Sequence, residues 1–271
     1  MNKKSVHLGP KEIQLIYTLE KQNLLIFNIA DVKSILKTSD ASVKNVVYRL
    51  KDKHRVIEIE RGKYLLAPAK SGVEGYWSEH TFKILNKLID TYYVSYWTAL
   101  HHWGMTEQIP RTTYVVTTKI KKDIEFFGEK IQFVTVVPKK FYGYITEKID
   151  DDYFTIATRE KTIIDCLDHP AYCGGIIELV KGLWTGRNQI NFDNLFTVAK
   201  KFNVSSVQRR LGYLLEKSGL LKEHEYKKLK ENFKGFRWFD PSANKKILCY
   251  DRNWGLKVNI SEESLFDWRI H

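Results

Sequence analysis

The sequence predicts an α+β fold, with an N-terminal winged helix-turn-helix followed by a larger mixed α/β domain. Residues 39–66 have the pattern of a capped amphipathic helix, a turn and two short strands joined by a basic tip. The formal net charge is +12, with an excess of cations near the N-terminus. The remaining sequence mixes helical and alternating apolar periodicities, which is typical of α+β proteins.

The third predicted helix is the best defined element of the N-terminal region. Ser39 or Asp40 is suited to cap it, because short polar side chains accept hydrogen bonds from free backbone amides. Residues 56–60 then alternate as in a strand, and residues 61–63, Arg-Gly-Lys, form a tight basic turn into a second strand. The apolar residues of the helix recur at helical spacing, which places them on one stripe: Val43, Val46, Val47 and Leu50.

Two shorter helices are predicted before it. Pro10 suits the first position of a helix that ends near Asn23, with Ile13, Ile16, Tyr17 and Glu20 on one face and Leu15 and Leu19 beside it. Residues 24–27 are an apolar connection, and Asn28 can cap a second helix over 29–36. Residues 37–40 supply the turn. Three helices and a hairpin make a complete winged domain, and the alternative is an unrelated small helical domain with a hairpin.

The distribution of charge agrees with the winged interpretation. Residues 1–70 hold 14 Lys and Arg against 7 Asp and Glu, a net of +7. The other 201 residues hold 30 and 25, a net of +5. Concentrated positive charge is expected of a surface that neutralises phosphates, although many soluble proteins are mildly basic.

Composition argues against several other classes. The three cysteines include no CxxC pair, so neither a disulfide framework nor a zinc site is expected. No apolar run approaches the ~18–20 residues of a membrane span, and the first residues lack the apolar core of a secretory signal. The sequence therefore predicts a soluble cytoplasmic protein with no membrane partner.

Residues 67–75, APAKSGVEG, are poor in large apolar groups and predict an interdomain linker. Residues 1–70 form the predicted DNA-binding domain, and residues 76–271 form the second. The second comprises a mixed α/β part over 76–186 and a helical part over 190–271. Strands are predicted at 92–94, 111–118, 131–137, 141–149, 153–156, 247–250 and 255–260, and helices at 95–104, 158–167, 175–184, 192–202, 205–217 and 222–233.

A search for catalytic motifs finds none of the common signatures. The chain has no GxGxxG, P-loop, HExxH or GxSxG sequence. His101 and His102 are expected to pack or face water, and residues 150–152, three aspartates, to form a solvated turn. Glu160, Asp165 and Asp168 lie near a predicted helix, and the one Glu-x-Lys sequence (225–227) is in a Lys-rich helical stretch. No enzyme activity, cofactor or metal is predicted.

The candidate DNA-binding residues lie on the polar side of the third helix and at the hairpin tip. Asn45 is the best candidate for a base contact, because an amide pairs bidentately with adenine. Ser42, Lys44, Asn45 and Tyr48 are assigned to the major groove. Arg49, Lys51, Arg61 and Lys63 are assigned to the phosphate backbone.

Residues 192–217 offer a second helix-turn-helix pattern with Arg209 and Arg210. No wing follows them, and their apolar density favours internal packing over DNA recognition. The two arginines remain candidates for a positive surface, together with Lys139 and Lys140, and this choice rests on charge clustering alone.

Several passages in fixed order resemble the AbiEi family of antitoxins, from type IV toxin–antitoxin systems of phage abortive infection. None is diagnostic alone, but together they span nearly the whole chain. They are RGKYLLAP (61–68), YYVSYWTALHHWGMTEQIPRTTYVVT (92–117), IQFVTVVPKKFYGY (131–144), ATREKTIIDCLDHPAYCGGIIELVKGL (157–183), VQRRLGYLLEKSG (207–219) and NWGLKVNI (253–260).

This resemblance implies an N-terminal winged helix that represses its own operon and a C-terminal α/β domain responsible for antitoxicity. It also implies a cognate nucleotidyltransferase-like toxin encoded beside it, whose own Gly-Ser and Asp-x-Asp signature is absent here. Two alternative interpretations stay open. One is a winged-helix transcription regulator whose second domain senses a ligand or mediates assembly, and the other is a nucleic-acid-processing enzyme.

Overall fold

The computed structural model describes residues 7–69, 80–220 and 222–269. It confirms the predicted α+β class, with helices at the N-terminus followed by sheets. The chain divides into two compact units. The first unit comprises residues 1–90, 122–132 and 148–154, and the second comprises 91–121, 133–147 and 155–271. Within the described ranges, no helix is long and apolar enough to cross a lipid bilayer.

The first unit begins with three helices and a three-stranded sheet in the order β1-β3-β2. Both strand pairs are antiparallel, and a bulge between Glu58 and Glu60 interrupts the β2–β3 register. The elements are α1 (Pro10–Lys21), β1 (Ile26–Asn28), α2 (Ile29–Leu36), α3 (Asp40–Asp52), β2 (Val56–Glu60) and β3 (Lys63–Leu66).

Local capping explains where two of these helices begin. The Asn28 side chain accepts a hydrogen bond from the Asp31 backbone, and the Asp31 carboxylate accepts one from Asn28 in return. Ser39, rather than Asp40, caps α3 by accepting from the Ser42 backbone. The predicted stripe of α3 is buried, and it packs in one core with residues of α1, α2 and β1: Leu15, Leu19, Val32, Phe27, Val43, Val46, Val47 and Leu50.

Two predictions for the start of the chain were wrong. The predicted face of α1 with Ile13, Ile16, Tyr17 and Glu20 is not the buried one, because Ile13 and Tyr17 are 40% and 68% exposed. The buried face instead carries Leu15, Ile16 and Leu19, together with Glu12. The apolar connection at 24–27 contains a strand, β1, whose three residues are too few to show an alternating pattern.

The first residues of the predicted linker pack against the N-terminal core. The Ala67 amide donates to the Arg55 carbonyl at 2.9 Å, and the Arg55 guanidinium donates back to the Ala67 carbonyl at 2.8 Å. The Ala69 amide donates to the Glu20 carboxylate. The remaining linker residues, 70–75, lie outside the described residues. The first unit also contains α4 (Phe82–Leu88).

A six-stranded sheet follows, in the order β6-β7-β5-β4-β9-β8. β4 pairs antiparallel with β5 and parallel with β9, and β6 pairs antiparallel with β7. The predicted strands at 92–94, 111–118, 131–137, 141–149 and 153–156 are all present, whereas β6 lies in a segment predicted only as charged. The strands are β4 (Tyr93–Val94), β5 (Thr112–Thr117), β6 (Ile124–Phe126), β7 (Glu129–Thr135), β8 (Tyr144–Ile149) and β9 (Asp152–Ala157).

The helices of the second unit enclose its core. One buried charge lies among them, because the Lys161 ammonium contacts Asp165 and donates to the Tyr93 hydroxyl at 2.8 Å. Asp165 also accepts from the Ser95 hydroxyl at 2.8 Å. The helices are α5 (Tyr96–His102), α6 (Arg159–Asp168), α7 (Ile176–Thr185), α8 (Phe192–Phe202) and α9 (Ser205–Ser218).

The C-terminal part contains a small sheet in the order β10-β12-β11. The prediction of a charged helix over 222–233 is wrong. Only a four-residue α10 (Glu223–Tyr226) and a 3₁₀ turn (Lys227–Leu229) form there. The other elements are β10 (Arg237–Trp238), β11 (Cys249–Asp251), β12 (Leu256–Val258) and α11 (Glu262–Phe266), followed by a 3₁₀ turn (Asp267–Arg269).

Helix α9 and the loop before β12 fit together at a glycine. Trp254 is fully buried, and a Cβ atom added at Gly212 would overlap its six-membered ring. The indole Nε1 donates to Glu216, one turn further along α9, at 2.6 Å. The absence of a side chain at Gly212 therefore lets the tryptophan lie directly on the helix backbone.

We expect Gly212→Ala to lower the free energy of unfolding by about 1–3 kcal/mol, because the methyl group overpacks the Trp254 site. Helix propensity alone predicts the opposite sign, since alanine is favoured over glycine by ~1 kcal/mol inside a helix. Urea unfolding followed by circular dichroism measures the effect. In a Trp254→Leu background the same alanine should no longer destabilise, and a stabilising Gly212→Ala in the native background would contradict this packing.

Candidate nucleic-acid interface

Helix α3 has one buried face and one exposed polar face. Its four apolar residues are at most 3% exposed, so the helix is held firmly against α1 and α2. On the opposite side Lys44, Asn45 and Tyr48 are exposed, and Tyr48 is 71% exposed. Rigid placement of the buried face fixes the direction in which these polar groups point.

Four of the predicted DNA-binding residues have partners within the first unit. Lys51 Nζ lies 2.9 Å from Glu58 and also approaches the Tyr64 ring, and Lys63 Nζ lies 3.1 Å from Glu60. These pairs are exposed to solvent and so contribute little stability. The other two contacts are Arg49 Nε to Glu12 at 3.1 Å and Lys11 Nζ to the Ser42 hydroxyl at 3.0 Å.

The side chains of Asn45, Tyr48 and Arg61 form no hydrogen bond or salt bridge with any other described residue. Arg61 lies at the hairpin tip beside Gly62, whose φ of +75° favours glycine. The Gly62 amide donates to Glu58 at 3.1 Å, which closes the turn. Together with Lys44, these three groups are the ones that α3 and the hairpin leave available to a partner.

The role of Glu12, which is 1% exposed, was not predicted from the sequence. Its carboxylate accepts from the Gly9 amide at 2.7 Å, from Lys53 Nζ at 2.7 Å and from Arg49 Nε at 3.1 Å. Burial by itself raises the pKa of this carboxyl, but the bonds to Lys53 and Gly9 and the charge of Arg49 outweigh it and lower the pKa. Glu12 therefore joins the start of α1 to the end of α3.

The only signal in the sequence for the role of Glu12 was its position near the start of a helix. Glu12 is the third residue after Gly9, and an acid there commonly bonds back to the helix start. Nothing in its spacing indicated two cations from α3. Lys11, beside it, donates to Thr38 at 3.1 Å as well as to Ser42, so α1 also holds the turn between α2 and α3.

The prediction of a positive surface from charge clustering needs correction. Its four residues were Lys139, Lys140, Arg209 and Arg210. Arg209 and Arg210 are 1% and 5% exposed, not surface groups. Their guanidinium groups donate to backbone carbonyls of the second unit, which confirms the internal packing favoured for residues 192–217. Lys140 is bound to Asp168 at 2.6 Å and lies over the Phe202 ring. Of the four, Lys139 alone is exposed and without a salt bridge among the described residues.

Several of the groups weighed as catalytic candidates have structural partners. His102 lies 3.3 Å from Glu147, and Asp150 pairs with Lys83 at 2.7 Å. Glu160 accepts from the Asn191 amide at 2.9 Å, and Asp165 belongs to the buried Lys161 pair. Across the described part of the chain, no cluster of three or more His, Cys, Asp or Glu residues is arranged to hold a metal ion.

Comparison with known proteins supports the fold. No protein-family model and no curated protein matches the chain. Among solved structures, the chain is similar to the crystal structure of the RV2827C protein from Mycobacterium tuberculosis, with a TM-score of 0.69 and 11% identity. The superposition covers 98% of this chain and 96% of that one. The likeness at this identity concerns the fold over nearly its full length.

We expect Glu12→Gln to lower the free energy of unfolding by about 1–3 kcal/mol, because Lys53 and Arg49 lose a charged acceptor. The native pKa of Glu12 lies below the ordinary value of 4.5. Its stabilisation is therefore complete above pH 4.5 and declines as the pH falls through the lower native pKa. Urea unfolding at several pH values measures this.

The difference between the wild type and Glu12→Gln should accordingly shrink on acidification below pH 4.5. Asp52→Asn is a matched control, since Asp52 is exposed and forms no ion pair with any described residue. Equal stability of wild type and Glu12→Gln at neutral pH would contradict the role of Glu12.

Proposed function

We propose that this protein is a non-enzymatic antitoxin that binds its own promoter DNA through a winged helix-turn-helix and counteracts a nucleotidyltransferase-like toxin. The proposal has two parts with separate support. DNA binding is supported by the geometry of α3 and the β2–β3 hairpin, and antitoxicity by the resemblance of the quoted passages to AbiEi antitoxins. The proposed location is the cytoplasm, where promoter DNA and toxin are both accessible.

The single observation that carries DNA binding is the exposed face of α3. Its polar side chains Lys44, Asn45 and Tyr48 point away from a buried stripe and lack the internal partners that other cations of the unit have. A helix of this kind fits the major groove, about 12 Å wide, with its first turns toward the bases. The β2–β3 hairpin then serves as the wing, with Arg61 directed to phosphate.

The roles of the residues differ in the proposed complex. Asn45 recognises a base edge, because an amide offers adenine a donor and an acceptor together. Lys44 and Arg61 neutralise phosphates, which gives affinity without sequence preference. Arg49 and Lys51 already have carboxylate partners, so they orient α3 as well as contributing positive charge. Ser42 and Lys63 already bond to Lys11 and Glu60.

The antitoxin part is supported by where the resembling passages meet. Residues 92–117 and 157–183 supply the Ser95, Lys161 and Asp165 network. Residues 207–219 and 253–260 supply the contact of Gly212 with Trp254. These four passages thus contribute to one core of the second unit. Lys139, the exposed member of the cation set, is the remaining candidate for a contact with the toxin.

We expect Asn45→Ala to relax base preference at one position of the operator by about 1–3 kcal/mol, because alanine cannot form the two hydrogen bonds to the base. Fluorescence anisotropy of the full-length protein with a labelled promoter duplex and single-base variants of it measures the effect. Retention of every base preference by Asn45→Ala would remove this residue from base recognition.

We expect Arg61→Ala/Lys63→Ala to weaken binding to every duplex and to reduce the salt slope by roughly 1 for each phosphate that is no longer neutralised. The matched control is Lys200→Ala/Lys222→Ala, which also removes two exposed cations but from the second unit. Promoter titrations at several salt concentrations compare the two. Unchanged binding by the hairpin variant, or equal weakening in the control, would exclude the wing from the mechanism.

We expect full-length Asn45→Ala/Arg61→Ala/Lys63→Ala to restore growth of cells expressing the adjacent toxin gene from a separate promoter. The substituted groups lie within residues 1–70, whereas the resemblance assigns neutralisation to the C-terminal α/β domain, residues 76–271. The readout is colony growth at matched protein levels. Failure of the wild type to rescue would favour a plain transcription regulator, and rescue by the wild type but not the variant would make DNA binding part of neutralisation.

A further inference from the structure

The small C-terminal sheet has an exposed aromatic side. Leu256 and Val258 of β12 face the core, so Lys257 between them points outward. Lys257 is in register with Trp238 of β10 on one side and with Tyr250 of β11 on the other. Register partners share a face of a sheet, so the three side chains form a row across it.

Two further apolar side chains extend this row. Phe236, two residues before Trp238, packs edge-on against Tyr250 with ring centroids 5.0 Å apart. Leu248 directly precedes β11, and its amide donates to the Val258 carbonyl at 2.8 Å, so it lies on the same side as Tyr250, two residues later. Phe236, Leu248 and Tyr250 are 37%, 50% and 54% exposed, and we define the aromatic face as Phe236, Trp238, Leu248, Tyr250 and Lys257. Apolar side chains of this size are usually buried in a protein core. Their exposure here suits contact with a partner that has flat apolar groups.

The segment that carries the aromatic face has a positive net charge. Residues 234–257 contain six Lys and Arg against two acids, and both acids are committed to backbone amides: Asp240 accepts from Ile176, and Asp251 from Trp254. Lys245, Lys246 and Arg252 are exposed and form no salt bridge with the described residues. Lys257 lies 5.4 Å from the centre of the Trp238 ring, so it is held in the middle of the face.

We propose that the aromatic face binds single-stranded RNA. Exposed aromatic rings on a sheet stack unpaired bases, and neighbouring cations bind the phosphates that connect them. Trp238 and Tyr250 are separated by two strand spacings, roughly 10 Å, so each takes its own base while Lys257 meets the backbone between them. The negative charge of RNA matches the cations of this surface, and its flat bases match the exposed rings.

This chemistry differs from that of α3. A duplex keeps its bases stacked inside the helix, so the rings at Trp238 and Tyr250 have no base face to cover. The aromatic face also belongs to the second unit, whereas α3 belongs to the first. Binding of RNA here is therefore separate from the proposed promoter binding, and each can fail without the other.

The test uses full-length protein carrying Arg61→Ala/Lys63→Ala, which weakens the duplex surface, and a fluorescein-labelled RNA of about 12 nucleotides and mixed sequence, long enough for an aromatic platform. Adding Phe236→Ala/Tyr250→Ala should raise the Kd at least about tenfold, because stacking on an aromatic ring contributes ~1–3 kcal/mol per base. The same pair of substitutions in the wild-type background should leave promoter binding unchanged. RNA should also quench tryptophan fluorescence in the parent, since Trp238 is among the rings covered.

Tyr153→Ala is the matched control, because Tyr153 is 56% exposed, nearly the same as Tyr250, but lies in the first unit. It should leave the RNA affinity unchanged. Equal RNA affinity of the parent and Phe236→Ala/Tyr250→Ala, with both folded by circular dichroism, would overturn the proposal. Preferential binding of a polyglutamate peptide, anionic lipid vesicles or a single-stranded DNA of the same sequence, with weaker binding by the double variant, would overturn it in favour of that partner.

Discussion

Arg209 holds the C-terminal part of this protein in place. Its guanidinium is buried and donates to the carbonyls of Lys234, Gly235 and Gly255, at 2.9, 2.6 and 2.9 Å, while Phe233 covers it at 4.6 Å. A buried cation without acceptors would cost several kcal/mol, so the segments that precede β10 and β12 must keep these carbonyls in position. The aromatic face lies on the outer side of the sheet that β10 and β12 form. Its position therefore depends on the same carbonyls.

Glu12 plays a comparable part in the first unit, with the opposite sign of charge. In both places an interior charge is satisfied within its own unit and joins segments far apart in sequence. The consequence for function is a division of the charged residues into two groups. Those that have internal partners, such as Arg49 and Lys53, position the helices, whereas Lys44, Arg61 and Lys139 remain exposed and are the ones through which we propose that a partner is contacted.

The sequence predicted helices and strands correctly where the apolar periodicity or the helix cap was clear. The bounds of α2 and, to within one residue, those of α9 were predicted correctly, because Asn28 caps α2 locally and the apolar spacing is clear. β1, β6 and β10 were missed because strands of two or three residues are defined by their neighbours. The long helix predicted over 222–233 was wrong. The burial of Arg209 was also not predicted, because its carbonyl acceptors lie 25 to 46 residues away in sequence. Local sequence contains no information on such partners.

The two proposed nucleic-acid surfaces follow from two different ways of exposing side chains. A helix buried along one stripe projects separate polar groups at about 5.4 Å per turn, which suits base edges spaced along a groove. A sheet buried on one face projects its outward residues in registered rows, so neighbouring rings form a broad platform that suits unstacked bases. Asn45 on α3 and Tyr250 on β11 are therefore not interchangeable. Each matches one structural state of a nucleic acid, and the difference originates in the periodicities of the elements that carry them.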